Sequence, residues 1–119
     1  MSAEKGLDLP SALVPDRRKT PRYRYVASLC IRTAGGSEQE AMSIEISDAG
    51  MSVATDETLE IGEKVELDPI VGEKVLAVIR HKQGRIYGFE FVDLQAEHQE
   101  RIRKMCRPLP RFAPKHLNI

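Results

Sequence analysis

The sequence predicts an all-β (mainly) domain, a six-stranded antiparallel barrel with one C-terminal α-helix. Three observations support this fold class. Apolar and polar residues alternate with a period of two in several short segments between about residues 23 and 91. Turns that contain glycine separate these segments at regular intervals. After Asp93 the apolar residues recur every three or four positions, which is typical of a helix.

The first two predicted strands lie on either side of a glycine pair. The odd positions of residues 23–31 are apolar and alternate with polar residues such as Arg24 and Ser28, and Gly35-Gly36 then provides a turn. Residues 39–47, QEAMSIEIS, continue the alternation in a second strand. Glu45 and Ser47 fall on the polar face of that strand, so we expect both to point away from the core.

Four more strands follow a tight turn at Asp48-Ala49-Gly50. They are predicted at MSVA (51–54), KVELDP (64–69), KVLAVIRH (74–81) and RIYGFEF (85–91). This regular spacing is typical of a small antiparallel barrel or sandwich. Closure of a barrel would remove most exposed strand edges.

The last predicted element is a helix from Leu94 to Met105 that plugs or flanks the barrel. Two prolines soon after it end the helix. The chain has 119 residues, which fits one domain. We expect a flexible N-terminal lead at residues 1–15, a folded unit at 16–106 and a C-terminal tail at 107–119.

Composition excludes several classes of protein. Eighteen basic residues balance eighteen acidic ones, which argues against a general binder of DNA or RNA. No apolar stretch is long enough for a signal peptide or a bilayer span, so we expect a cytoplasmic protein without membrane insertion. Cys30 and Cys106 lack the spacing of metal ligands, so we expect ordinary thiols and no metal site.

A basic segment precedes the first predicted strand. Its five cations within eight positions are Arg17, Arg18, Lys19, Arg22 and Arg24. Guanidinium groups suit phosphates and guanine because their planar fork donates paired hydrogen bonds. The alternative interpretation is a solvated basic lead that keeps the edge of the first strand from pairing with other chains.

A second candidate site is EISDAG, residues 45–50. Ser47 can donate or accept a hydrogen bond, and Gly50 permits a positive φ or a close backbone approach, as a turn around a ligand would need. A plain hairpin turn would explain the same residues equally well.

Taken together, these features resemble the PilZ domain family over roughly residues 16–106. They are an RRxxxR segment before the first strand, an ExSxxG turn after the second, six strands, the segment GFEFVDL and a closing helix. The resemblance implies a non-enzymatic receptor that needs no cofactor and binds cyclic di-GMP, a bacterial second messenger, on the outside of the barrel. The implied ligand-binding residues are Arg17, Arg18, Arg22, Glu45, Ser47 and Gly50. Arginine at position 17 further implies room for a stacked pair of nucleotides.

Glu45 departs from the family pattern, which has Asp or Asn at that position. A carboxylate repels a phosphodiester, so Glu45 can help only by accepting hydrogen bonds from N1–H and the amine of guanine. Its extra methylene moves the acceptor outward, and a mismatched charged hydrogen bond costs ~1–3 kcal/mol, or roughly ten- to a hundredfold in affinity. The alternative interpretation is that Glu45 pairs with a neighbouring arginine in the empty protein.

The resemblance leads us to expect a disorder-to-order switch. Residues 1–22 would wrap the ligand and present a new surface to a downstream protein partner. The main alternative, favoured by Glu45, is a PilZ-like protein–protein interaction module that does not bind the nucleotide. An oligonucleotide-binding barrel is a third interpretation, but it would need exposed aromatic residues. Tyr87, Phe89 and Phe91 alternate with other residues as core residues do.

No catalytic motif stands out. The sequence contains no GxSxG and no short motif of paired catalytic carboxylates. His81, His98 and His116 lack metal spacing and an evident nucleophile partner. We therefore expect each histidine to be a surface or packing residue.

Overall fold

The computed structural model describes residues 21–111, which form a closed barrel of six antiparallel strands, one short strand outside it and one helix. The predicted fold class is therefore confirmed. The elements are β1 (Tyr23–Arg24), β2 (Ser28–Thr33), β3 (Glu38–Ile46), β4 (Gly50–Ala54), β5 (Lys64–Ile70), β6 (Glu73–Gln83), β7 (Ile86–Val92) and α1 (Ala96–Cys106).

The barrel strands follow the order β3-β2-β5-β6-β7-β4, and β4 pairs back with β3 to close the ring. Alternate residues of each strand point inward, as the period of two predicts. Fully buried examples from four different strands are Ile31, Val53, Leu67 and Ile79. The core also contains the aromatic residues of β7, which confirms their predicted packing role; these are Tyr87, Phe89 and Phe91.

The first predicted strand, residues 23–31, is split into β1 and β2. Four steps separate Arg24 from Ser28, whereas three separate their partners on β3, so one extra residue forms a bulge. The side chain of Ser43 accounts for the interruption. Its hydroxyl accepts from the amide of Ala27 at 2.9 Å and donates to the carbonyl of Tyr25 at 2.5 Å. Because a side chain takes the place of backbone partners, the alternation of residues 23–31 does not continue as one strand.

The predicted helix is confirmed, although it begins two residues later, at Ala96. It flanks one end of the barrel. The ring nitrogen Nε2 of buried His98 donates to the carbonyl of Ile70, at 2.7 Å, and the side-chain amide of Gln99 donates to the carbonyl of Asp48, at 3.1 Å. Burial raises the pKa of Cys106 to about 11, so this residue stays a thiol at neutral pH.

The chain returns to β1 after the helix. The amide of Arg24 donates to the carbonyl of Pro110 at 2.8 Å, and Arg111 forms a single antiparallel bridge with Tyr23. β1 therefore lies between β3 on one side and residues 110–111 on the other. The lead predicted at residues 1–15 lies outside the described residues.

Candidate functional site

An open pocket of about 350 Å³ lies on the outer face of the barrel. Four of the six ligand-binding residues implied by the sequence line it: Arg22, Glu45, Ser47 and Gly50. The other two, Arg17 and Arg18, lie outside the described residues. The structure thus brings the end of the basic segment and the ExSxxG turn to one place, and their contact with a ligand stays a prediction.

The floor of the pocket is a row of directly opposed residues on four neighbouring strands. Glu45 on β3 pairs with Ser52 on β4, Ser52 pairs with Gly88 on β7, and Gly88 pairs with His81 on β6. Directly opposed residues of antiparallel strands project from the same face of a sheet. The row therefore projects from the outside of the barrel and runs across it from Glu45 to His81.

Glu45 is buried, with only 3% of its surface exposed. One carboxylate oxygen, Oε2, accepts from the hydroxyl of Ser52 at 2.7 Å and forms an ion pair with Nη1 of Arg22. One of the two interpretations of Glu45, pairing with a neighbouring arginine in the empty protein, agrees with this ion pair. Glu45 points away from the core, as expected, and Arg22 and Ser52 cover it.

The second oxygen of Glu45, Oε1, is buried and accepts no hydrogen bond from any residue in the described range 21–111. A buried acceptor without a partner costs about 1–3 kcal/mol. Such groups are rare in native structures and indicate strain or a place where a water or a ligand binds.

Arg22 immediately precedes β1, and its side chain is 20% exposed. Its contact with Glu45 uses one terminal nitrogen of the guanidinium group. Within the described part of the chain, Nε and Nη2 form no hydrogen bond to another residue. An arginine offers five N–H donors, so this group can hold Glu45 and still donate toward the pocket.

The turn between β3 and β4 is fixed by Ser47. Its hydroxyl accepts from the amides of Ala49 and Gly50 at 3.1 and 3.2 Å, and its own amide donates to the carbonyl of Gly50 at 2.8 Å. These are the local bonds that a serine typically makes in a turn. Ser47 is only 4% exposed, because its side chain is folded back into the turn.

Position 50 requires glycine because the backbone of β7 approaches it closely. A Cβ atom at this position would lie 2.2 Å from the carbonyl oxygen of Phe89, while the φ angle of Gly50 is not positive. Of the two reasons expected for this glycine, the structure supports the second. Outside the turn, Arg103 of α1 contacts Asp48 through Nε at 2.7 Å, so the helix also holds the turn in place.

Sequence analysis missed the opposite wall of the pocket, which β6 and β7 form. There Nε of Arg80 donates to Oε1 of Glu90 at 2.6 Å, and the ring of His81 lies against Gly88. Sequence analysis assigned His81 only a surface or packing role. The one available signal was Gly88 itself, because a glycine inside a strand often marks a close approach by another group.

Other kinds of site find little support in the described residues. Between residues 21 and 111, no group of three His, Cys, Asp or Glu side chains is placed to hold a metal ion. No helix in the same range has the length and apolar character needed to cross a bilayer.

Comparisons with solved structures show the same fold. The PilZ domain of YcgR from Escherichia coli, solved with c-di-GMP, has a TM-score of 0.62 and 15% identity, covering 78% of this chain and 91% of that one. The inhibitor of motility MotI/DgrA of Bacillus subtilis has a TM-score of 0.61 and 21% identity, over 86% of this chain and 52% of that one. The PilZ domain of CeSA from a cellulose-synthesizing bacterium has a TM-score of 0.56 and 15% identity, over 71% and 93%.

The sequence comparison is more specific than these structural likenesses. No match was found among curated proteins. The family model described as PilZ domain, however, matches residues 16–107, which include both motifs, the whole barrel and the helix. This match covers most of the chain, and the chain therefore belongs to the PilZ domain family.

Proposed function

We propose that this protein is a non-enzymatic receptor for cyclic di-GMP, which binds in the pocket bordered by Arg22 and Glu45. The observation that carries the proposal is the buried carboxylate of Glu45, which is only half paired among residues 21–111 and lies beside an arginine whose Nε and Nη2 have no partner in that range. A PilZ relative, the YcgR domain of Escherichia coli, was solved with the same nucleotide.

Glu45 suits the base of the ligand rather than its phosphates. Oε1 needs a hydrogen-bond donor, and guanine presents two on one edge, N1–H and the exocyclic amine. A phosphate would instead be repelled by the carboxylate. The ligand would therefore place a guanine edge at Glu45 and its phosphates toward the arginines.

Arg22 would bind the ligand without releasing Glu45. Its Nη1 stays on the carboxylate while Nε and Nη2 donate to a phosphate oxygen or to O6 and N7 of guanine. Arg17 and Arg18 would supply further donors to this doubly anionic ligand. Ser47 and Gly50 would contribute indirectly, because they fix the turn that forms the adjacent edge of the pocket.

Because binding breaks no covalent bond, the signal must leave through a changed protein surface. We propose that residues 1–22 wrap the nucleotide and present that surface to a protein partner in the cytoplasm. Ordering of a segment on binding is a common switching device, in which the ordering entropy lowers the net affinity.

A second candidate function is a protein-interaction module that does not bind the nucleotide. The observation that favours it is the Arg22–Glu45 ion pair, because a carboxylate already occupies part of the guanidinium group that would face a phosphate.

Titration calorimetry of the whole chain with cyclic di-GMP separates the two functions. The wild type should bind, and Arg22→Ala should weaken binding at least 100-fold, because it removes charged hydrogen bonds worth ~1.5–3 kcal/mol each. Arg32→Ala is the matched control, since Arg32 also pairs with glutamates but does not line the pocket. It should change the affinity less than about twofold.

Each other outcome has a definite meaning. Absence of wild-type binding would favour the interaction module, and full binding by Arg22→Ala would overturn the assigned site. The same titration gives the stoichiometry, for which Arg17 implies two nucleotides per chain. One nucleotide per chain would reject that part of the proposal.

A further inference from the structure

We propose that His81 is a ligand-contacting residue that determines affinity for the base, because its imidazole forms the wall opposite Glu45 and stacks on a purine. This inference rests on the proposed function and adds a residue outside both sequence motifs. Histidine is one of the side chains on which unstacked bases commonly stack.

The cross-strand row places His81 at the right distance for this role. Three strand-to-strand steps separate Glu45 from His81, through Ser52 and Gly88. Neighbouring strands lie ~4.8 Å apart, so the two ends of the row are roughly 14 Å apart at the backbone. Both residues line the same pocket, so a nucleotide anchored at Glu45 extends along the row toward the imidazole.

Gly88 allows the ring of His81 to lie against the sheet. A Cβ atom at position 88 would lie 2.1 Å from Nε2, 2.2 Å from Cε1 and 2.6 Å from Cδ2 of His81. Any other residue at position 88 would push the ring away. His81 is nevertheless exposed as a whole, so the ring borders the pocket without being enclosed by the protein.

The two described histidines differ in a way that points to a ligand. His98 is 3% exposed, and its Nε2 is bonded to the carbonyl of Ile70, as a packing histidine should be. His81 forms no hydrogen bond to any residue in the range 21–111, although it has two ring nitrogens. Hydrogen bonding within the described residues therefore gives no reason for a histidine at position 81.

The charges around His81 favour a base over a phosphate. Arg80 and Glu90, which line the same wall, form an ion pair with each other and leave it without net charge. An aromatic ring on such a wall offers a stacking surface but no excess positive charge. The phosphates would lie at the other end of the pocket, near Arg22.

The main test is calorimetry with cyclic di-GMP on variants of the whole chain. His81→Ala should weaken binding about tenfold, because stacking of a base on an aromatic side chain contributes ~1–3 kcal/mol. His81→Phe keeps a planar ring and should stay within about threefold of the wild type. Gln83→Ala is the matched control on the same strand and face, outside the pocket, and should leave the affinity unchanged.

A double-mutant cycle tests the role of Gly88. Gly88→Ala should weaken binding about as much as His81→Ala, because the new methyl group displaces the ring. In the His81→Ala background the same change should cost less than about twofold, since the ring is no longer there to move. Equal losses from Gly88→Ala in both backgrounds would overturn the proposed positioning of His81.

Nuclear magnetic resonance gives an independent readout. The ring protons of His81 should shift upfield on addition of cyclic di-GMP, as expected for stacking on a base, while those of buried His98 should not. Wild-type binding with an unaffected His81→Ala variant, or with no shift at His81, would overturn this inference and leave the proposed function standing. No binding by the wild type would overturn both.

Discussion

Two of the arginine–glutamate clusters on the outside of this barrel differ in burial and in hydrogen bonding. In the pocket, Arg22 and Glu45 have side chains that are 20% and 4% exposed. In the second cluster, Arg32 on β2 lies directly opposite Glu38 on β3 and Glu66 on β5, and these side chains are 38%, 50% and 29% exposed.

The Arg32 cluster is satisfied by the protein itself. Nε of Arg32 donates to Glu38 at 2.9 Å, and Nη1 donates to Glu66 at 2.7 Å. These hydrogen bonds, with Glu38 the stronger influence, raise the pKa of Arg32 above its ordinary value. In the pocket, by contrast, one buried oxygen of Glu45 has no partner among the described residues. The two clusters share the same residue types, and they differ in burial and in whether the carboxylate is fully paired within the described residues.

The largest expected difference between the clusters is in stability. Arg22→Ala should lower the free energy of unfolding by about 2 kcal/mol, because it leaves a buried carboxylate without its counter-charge. Arg32→Ala should lower it by less than about 1 kcal/mol, as is usual for exposed ion pairs. Urea denaturation of both variants measures the difference. Equal losses of unfolding free energy in the two variants would show that the different burial of the two clusters does not affect stability.

A second substitution should reverse part of the first loss. Adding Glu45→Gln to Arg22→Ala should recover about 1 kcal/mol, because a neutral amide does not leave an unpaired charge in the pocket. The matched control adds Glu38→Gln to Arg32→Ala, where water already solvates the carboxylate and no recovery is expected. The same denaturation experiment applies, and a recovery of equal size in both clusters would contradict the interpretation.

The smallest expected effect concerns the length of the acidic side chain. Glu45→Asp should leave the affinity for cyclic di-GMP within about threefold of the wild type or improve it, because aspartate restores the family residue. Part of the gain would be offset by the loss of a hydrogen bond. The hydroxyl of Ser52 donates to Glu45 at 2.7 Å, and the shorter side chain of aspartate cannot reach it. Calorimetry with Glu38→Asp as the control measures this effect. A loss above tenfold would show that the pocket is built for glutamate.

The sequence predicted local features well and long-range ones poorly. The period of two identified all six barrel strands, because a half-buried strand imposes that period directly. It could not reveal the burial of Glu45, which depends on Ser52 of β4 and on Arg22, just before β1, approaching from elsewhere in the chain. Nor could it reveal the row from Glu45 to His81, whose spatial order joins residues 45, 52, 88 and 81. That order depends on strand register and on barrel closure. The local sequence pattern determines neither of them.

The bridge between Tyr23 and Arg111 has a consequence for how this domain can be combined with others. The polypeptide enters the described fold beside the point where it leaves, and the two segments run in opposite directions. A domain with this geometry can be inserted into a surface loop of a larger protein without stretching either connection. In such a fusion both connections would run past β1, next to Arg22 and the pocket.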